Sequence, residues 1–491
     1  MTVYDFDLGI LGGGAAGLTA ASGAARFGAK TLLVEKADRL GGDCLHFGCV
    51  PSKTLIRSAE VWSLARRAGE FGLPAVELPP VDLAAVMDRV RAVIETIQEH
   101  DSPERFRRLG AEVRFGEPRF VDDRTVSLDG DRVTAKAWIV ATGSRSGLPP
   151  VEGLEDVPYW TSETVFSRKA LPGRLLVLGG GPVGVEMAQA FQRLGSKVVL
   201  VEYGEQLLAS EDADIAEILR GRLAAEGVEV LTGVNALRAE SAGSAVRLRV
   251  APTAGGKDPW AIEGDALLVA AGRRPNTEGL DLKAAGVPFF PRGIPTDARM
   301  RTYVPHIYAC GDVNGLFPFT HVAGYEAGIA LSNAVLSLPR KADYSKVPWC
   351  TYTDPEIASV GFNEKRAKAG GVEYRVLTTA FREVDRALAE GEAEGKIKVL
   401  ISPKGKVLGC QIAGHHAGEL IHGWVAAVGG RVKLSTLAEA VHAYPTLAEI
   451  SKKAAGAHYA PKLFNDRTRR ILRFLFGLRG GAPSPGGGAA G

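Results

Sequence analysis

At 491 residues, 46% of them hydrophobic, the chain has enough apolar material for several cored domains. Its 59 basic and 56 acidic side chains leave a formal charge of +3, so there is no global drive toward nucleic acid or acidic partners. The 60 glycines point to an α/β protein with many tight turns, and five cysteines, an odd number, suit a reducing compartment better than a disulfide framework. No basic segment opens the chain and no apolar run reaches membrane-spanning length, so cytoplasmic residence is the expectation.

In chain order, Phe6–Leu11 reads as a buried strand, Gly12-Gly13-Gly14-Ala15-Ala16-Gly17 as a glycine turn, the small residues up to Gly28 as a helix, and Thr31–Glu35 as a second strand. Next comes Gly41-Gly42-Asp43-Cys44-Leu45-His46-Phe47-Gly48-Cys49-Val50-Pro51-Ser52-Lys53. Two thiols separated by four residues can form and open a disulfide if the turn brings them together. The flanking glycines allow such a turn, and Pro51-Ser52 is expected to start a helix whose N-terminus stabilises a thiolate. A structural disulfide fits poorly without an export signal, and a zinc half-site lacks ligands because Cys310, Cys350 and Cys410 stand alone. Two unpaired core cysteines are a further reading. A redox pair is the favoured one, and no metal site is expected.

The opening unit recurs. Leu175–Leu178 leads into Gly179-Gly180-Gly181-Pro182-Val183-Gly184, a helix to Gly195 and a strand Lys197–Glu202. In both copies an acid, Glu35 or Glu202, lies 23 positions after the first glycine. Each is a strand–GxGxxG–helix–strand–acid unit of a Rossmann mononucleotide fold: Gly12, Gly14 and Gly17 in one copy, Gly179, Gly181 and Gly184 in the other, admit a pyrophosphate to a helix N-terminus. Each acid is placed to accept from ribose hydroxyls. Glu202 would repel a 2′-phosphate, and Tyr203-Gly204-Glu205-Gln206 supplies no arginine, which favours NADH over NADPH.

Taken together, these residues resemble the flavin-dependent pyridine nucleotide–disulfide oxidoreductases, a family that includes lipoamide dehydrogenase, glutathione reductase and mercuric reductase. The resemblance spans about residues 3–465 and recurs at separate motifs. Ala141-Thr142-Gly143-Ser144 is similar to the family's return from the flavin domain, and Gly272-Arg273-Arg274-Pro275-Asn276 to the crossover back. Tyr308-Ala309-Cys310-Gly311-Asp312 resembles the second flavin motif, with Cys310 as packing, and Thr353-Asp354-Pro355-Glu356 the entry to the dimer-interface domain. The implied architecture is α/β, with two Rossmann-like dinucleotide domains and a C-terminal α+β dimerisation domain. Its parts are FAD binding over 1–150 and 273–345, NAD(P) binding over 151–272, the interface over 346–465, and a tail over 466–491.

The resemblance implies an enzyme in which FAD occupies the first site and NAD the second, with hydride passing to the flavin and electrons on to Cys44 and Cys49. Cys49 would lie nearest the flavin, Cys44 would be the interchange thiol, and Asp312 would hold the flavin's ribityl or phosphate region. Lys53 would sit by the flavin, paired with Glu186 from the second Rossmann helix; the alternative is a solvated helix face.

The resemblance breaks at the C-terminal segment, where family members carry a His as acid–base partner, donated by the other subunit of a homodimer, and a Glu that orients it. Here His442-Ala443-Tyr444-Pro445-Thr446-Leu447-Ala448-Glu449 puts Tyr444 at the base position and keeps Glu449. A phenol titrates near about pH 10 and is a poor base at neutral pH. A Tyr in this region is similar to mercuric reductase, although that enzyme's C-terminal cysteine pair is missing. His46 is either an imidazole beside the thiols or a histidine bonded to the backbone of the turn. Finally, Asp466–Arg479 interleaves five arginines with Ile, Leu and Phe and reads as a basic amphipathic helix, placed on a membrane or protein partner or packed back on the dimer. Gly480 onward reads as disordered.

The function expected is NADH-dependent reduction of a small thiol, disulfide or metal-ion electrophile, mercuric-reductase-like. Dihydrolipoamide dehydrogenase is the alternative, and an electron-transfer module serving a membrane quinone or a protein is a reading of a different class.

Overall fold

The computed structural model describes residues 3–480 except 244 and 257. The tail expected to be disordered lies almost wholly outside them. The chain divides into two compact units, Met1–Asp354 and Pro355–Gly491.

In the first unit the sequence run Leu8–Leu11 is apolar at every side chain and becomes the centre of a parallel sheet. It pairs with Thr31–Glu35 on one side and Trp138–Val140 on the other. The sheet order is Ile307–Ala309, Trp138–Val140, Leu8–Leu11, Thr31–Glu35, Ala111–Phe115, so its edge strand comes from far along the chain. Leu8 and Ile10 enter one apolar cluster and Leu11, Leu32 and Val34 another, as a parallel sheet covered on both faces requires. The first strand is shorter than expected. Phe6 makes only an isolated bridge to Ala135, because the chain there crosses toward the Asp131–Thr134 strand rather than along the sheet.

The helix Ala15–Arg26 turns its small residues inward, which lets it lie close to the helix Thr320–Ala334; a Cβ on Gly23 would stand 2.4 Å from Leu331 Cδ2. The second glycine unit repeats the pattern with Arg174–Leu178, the helix Pro182–Leu194 and Lys197–Val201. Its sheet, also parallel, runs Glu229–Leu231, Lys197–Val201, Arg174–Leu178, Ala266–Val269. The segments Ser144–Ser146 and Arg273–Pro275 pair antiparallel, so both connections between the two sheets run side by side.

The second unit is antiparallel. Glu356–Gly361, Val407–Gly414, Lys396–Ile401 and Arg375–Ala380 lie adjacent in that order, and the helix Glu449–Gly456 packs on the last two. Trp424 is buried, with its indole N–H donating to Ser451 Oγ at 3.1 Å. The helix expected in the tail forms over Asp466–Phe476. Among the described residues, no helix is long and apolar enough to cross a membrane.

The third glycine of each turn is what allows helix and strand to meet. A Cβ on Gly17 or Gly184 would lie 1.8 Å from the carbonyl oxygen of Gly12 or Gly179. One on Gly181 meets nothing within 4 Å. Gly184→Ala should therefore destabilise the protein by about 1–3 kcal/mol through overpacking, whereas Gly181→Ala should leave stability nearly unchanged. Thermal unfolding of the full chain checks both; equal losses would mean the turn yields freely.

Candidate active site

The two glycine turns are built alike. Gly12 and Gly179 have φ of +111° and +116°, and each would drive a Cβ into a backbone carbonyl, that of Ala141 or Ala270. Both following helices start without a side-chain cap, so the N–H groups of their first turns, which in the second begin at Val183 because Pro182 has none, can meet an anion. The acids clamp the turns. Glu35 accepts from the Gly13 N–H at 2.6 Å and the Ala37 N–H at 2.8 Å. Glu202 accepts from Gly180 at 2.5 Å and Gly204 at 2.6 Å. A carboxylate has about four lone-pair positions, so each keeps capacity for ribose hydroxyls. With Gly14 and Gly181 carrying no side chain where a pyrophosphate approaches, both cradles fit a dinucleotide.

The two crossovers meet beside the first cradle. Thr142 Oγ1 donates to the Asn276 carbonyl at 2.7 Å, and the Asn276 amide returns a bond to the Thr142 carbonyl at 2.9 Å. Gly143 and Gly272, with φ of +68° and +143°, set these bends. Ser144 Oγ donates to Asp312 at 2.6 Å and accepts from Arg273 Nε at 2.7 Å. The Arg273 guanidinium also meets Asp43 at 3.0 Å, and so ties the residue before Cys44 to the Asp312 turn. Burial pushes the Asp43 carboxyl up, and Arg273 opposes it. Glu326, fully buried, fixes the same turn by accepting from the Gly311 N–H at 2.7 Å.

Cys44 lies in the short helix Gly42–His46, and Cys49 is the first residue of the helix Cys49–Arg66. The helix thus starts two residues earlier than Pro51-Ser52 suggested. Pro51 falls in the first turn, where a backbone N–H has no intrahelical partner and its loss costs nothing. Both thiols are free, and Thr320 Oγ1 lies 3.5 Å from Cys49 Sγ. The neighbouring Cys44 thiol first, then Thr320 and the Lys53 charge, hold Cys49 down to about 6 against burial and the Glu186 charge. Cys44 is pushed up, first by the Cys49 thiol and then by burial. The pair is therefore poised as one thiol and one thiolate. His46 takes the second of its two readings, its Nε2 lying 2.9 Å from the Leu40 carbonyl. Cys310 is fully buried in an apolar cluster, with its thiol pushed up by burial.

The motif is also locked to the first cradle. The Gly41 N–H donates to the Gly13 carbonyl at 2.9 Å, and a Cβ on Gly42 would lie 2.6 Å from Gly14 Cα.

Lys53 and Glu186 form an ion pair at 2.7 Å, with Glu186 only 4% exposed. Tyr352 completes it from a third direction: its backbone N–H donates to the other Glu186 oxygen at 2.9 Å, and its ring faces the Lys53 ammonium at 4.5 Å. The solvated-face alternative is excluded by that burial. Thr320, Tyr352, Arg273 and Glu326 carry no local signal of these roles, since each acts on a partner remote in sequence.

Tyr444 and Glu449 lie in the second unit. The Tyr444 hydroxyl donates to Asp385 at 2.8 Å, and that carboxylate raises the phenol further above its ordinary range. Glu449 opens the helix Glu449–Gly456. His442, half-buried, holds its Nδ1 3.0 Å from the carbonyl of Ala440, two residues before it.

A lowered Cys49 is ionised above about pH 6 and loses its charge as pH falls through that value. Ultraviolet titration of the reduced protein should show one thiolate step near pH 6, removed by Cys49→Ser and moved upward by Thr320→Val. A step that survives Cys49→Ser would assign the thiolate to the wrong sulfur.

Comparison with known proteins agrees with this geometry. Residues 6–327 match the pyridine nucleotide-disulphide oxidoreductases, and residues 347–455 match the dimerisation domain of that family. The chain is 36% identical over 453 residues to a mercuric reductase of Bacillus cereus, spanning 92% of this chain and 71% of that protein. It is 34% identical over 456 residues to the dihydrolipoyl dehydrogenase of Bacillus subtilis, spanning 91% and 97%. Among solved structures, the Cu(II) complex of the HOCl-induced flavoprotein disulfide reductase RclA from Escherichia coli aligns with a TM-score of 0.81 at 25% identity, over 93% of this chain and 99% of that one. LpdA from Mycobacterium tuberculosis aligns with a TM-score of 0.83 at 28% identity, over 91% and 98%. Members of this family use FAD and NAD(P)H. The chain belongs to the pyridine nucleotide-disulphide oxidoreductases and is an NAD(P)H-dependent flavoenzyme.

Proposed function

We propose that this enzyme moves electrons from NADH to its Cys44–Cys49 pair and on to a soft metal-ion electrophile of the Hg(II) or Cu(II) class. The observation that carries this reading is Tyr444, a phenol whose ionisation is opposed by Asp385, at the position where dithiol exchange needs a base. Exchange with an organic disulfide must take a proton from the interchange thiol and give one to the leaving thiol. A thiophilic cation needs no such partner, because metal binding itself displaces thiol protons. The likeness to mercuric reductases, and to a reductase solved as a Cu(II) complex, supports the same class. NADH supplies a hydride and therefore two electrons, so each turnover releases NAD⁺, a proton and either one Hg(0) from one Hg(II) or two Cu(I) from two Cu(II).

In this reading FAD, when bound, supplies the two-electron relay between nicotinamide and thiols. Gly12, Gly14, Gly17, Glu35, Gly143 and Asp312 hold it, within a domain made of 1–150 and 273–345. Gly179, Gly181, Gly184, Glu202 and Gly272 serve the nicotinamide cofactor over 151–272. Cys49 is the inner thiolate, Cys44 meets the substrate, and Lys53 with Glu186 sets the charge beside the flavin. The dimerisation-domain match supports a homodimer in which 346–465 form the interface and the Tyr444–Glu449 segment serves the partner's thiols. The small-molecule chemistry belongs in the reducing cytoplasm, with peripheral contact to a membrane or a protein through the C-terminal helix.

Dihydrolipoamide dehydrogenase is the second reading, favoured by relatives that span nearly the whole length of both chains. Steady-state assays with Hg(II), Cu(II), lipoamide, glutathione disulfide and quinones separate the two. Metal-ion reduction should dominate, and Tyr444→His should raise lipoamide turnover by ~10²–10⁴-fold near neutral pH. Rapid lipoamide turnover by the unmodified enzyme at neutral pH would reverse the assignment.

Flavin reduction should be faster with NADH than with NADPH, since both Glu202 oxygens are already fixed by backbone N–H groups and cannot turn away from a 2′-phosphate. Stopped-flow absorbance with each nucleotide checks this, and Glu202→Gln should narrow the difference.

A further inference from the structure

The helix Asp466–Phe476 lies beyond the residues matched by the family and buries none of its side chains in its own subunit. Ile471, Leu472 and Leu475 share one face by their spacing, flanked by Phe474 and Phe476, which are 88% and 69% exposed. Arg469, Arg470 and Arg473 fall on the opposite side. A soluble surface rarely leaves so many large apolar groups together in water, so the face has an occupant. Charge identifies it. The stretch Asp466–Arg479 holds five arginines and one aspartate, a net +4, whereas the whole chain nets +3, which leaves the remaining 477 residues at −1. A near-neutral remainder gives a second copy of the chain little to attract this helix, and the helix against itself sets arginine against arginine.

We propose that the helix Asp466–Phe476 docks on an anionic phospholipid surface. Its apolar face enters the boundary between headgroups and acyl chains, while the arginines, planar and multiply donating, engage lipid phosphates. The Gly477 bend, with φ of +62°, ends the helix and directs Leu478 and Arg479 onward with the same alternation of apolar and basic groups. The surface carries no claim about the reaction itself and stands whether or not the substrate is a metal ion.

The test uses the full-length flavoprotein dimer and vesicles of phosphatidylcholine, alone or with roughly one-third phosphatidylglycerol. The protein should sediment with the anionic vesicles and not with the neutral ones, and salt should release it. Arg470→Glu should weaken partitioning about fivefold or more at low ionic strength. Leu475→Asp should abolish it while NADH oxidation in solution stays unchanged, which shows that the variant is folded. A tryptophan at position 474 (Phe474→Trp) should shift its emission to the blue only on anionic vesicles. Equal sedimentation with both vesicle types, or with neither, overturns the proposal. So does conversion of the dimer to monomer by Leu475→Asp, which would identify a second copy as the occupant. Saturable binding to an acidic protein in place of vesicles also overturns it.

Discussion

A carboxylate as buried as Glu186 cannot keep its charge alone, and the arrangement around it follows from that. It takes an ammonium from the helix that begins at Cys49 and a backbone N–H from Tyr352, so both of its oxygens are engaged from different elements. The pair thereby holds the cysteine helix against the helix that follows the second glycine turn. Removing either partner would strand a charge, which costs more than the pair contributes by forming. The same pair sets two opposed charges near Cys49, Lys53 favouring and Glu186 opposing its ionisation, behind the larger effects of Cys44 and Thr320.

Much of the fold was legible in the sequence because its determinants are local. A glycine turn, a small-residue helix and an acid at a fixed interval each obey constraints set within one βαβ unit, and both copies fold as the pattern requires. Strand Thr31–Glu35 has the ends expected of it. Where the structure departs from the sequence pattern, the reason is nonlocal or permissive: Phe6 bridges Ala135 outside the strand, and Pro51 stands within a helix's first turn, which tolerates it as well as a helix start does. The candidate site divides the same way. Cys44 and Cys49 announce themselves by motif and spacing, and Lys53 with Glu186 through the family resemblance. Thr320 and Tyr352 do not, because a threonine opening a helix and a tyrosine after a strand are ordinary; only the folded chain shows what lies across from them.

In the C-terminal segment the hydrogen bonding of one side chain differs from what a base requires. Tyr444 does more than omit an imidazole: by donating to Asp385 it is committed as a hydrogen-bond donor and its phenolate is disfavoured. His442 and His46 are each turned to a backbone carbonyl instead. Under the proposed function, a scaffold that keeps its dithiol while withdrawing its proton acceptor would exchange one substrate class for another.

The contact between Gly14 and Gly42 limits how such scaffolds can be recombined. With Gly41 bonded to Gly13 and no room for a Cβ at Gly42, the nucleotide turn and the cysteine motif are halves of a single van der Waals surface. A chimera joined between them would inherit a mismatched seam, and the sulfurs would shift relative to the cradle by the width of whatever methyl group intrudes. Crossover points before Leu8 or after Arg66 keep the seam intact. Gene-shuffling libraries built on this chain would lose function at the intervening junctions even where both parents are active.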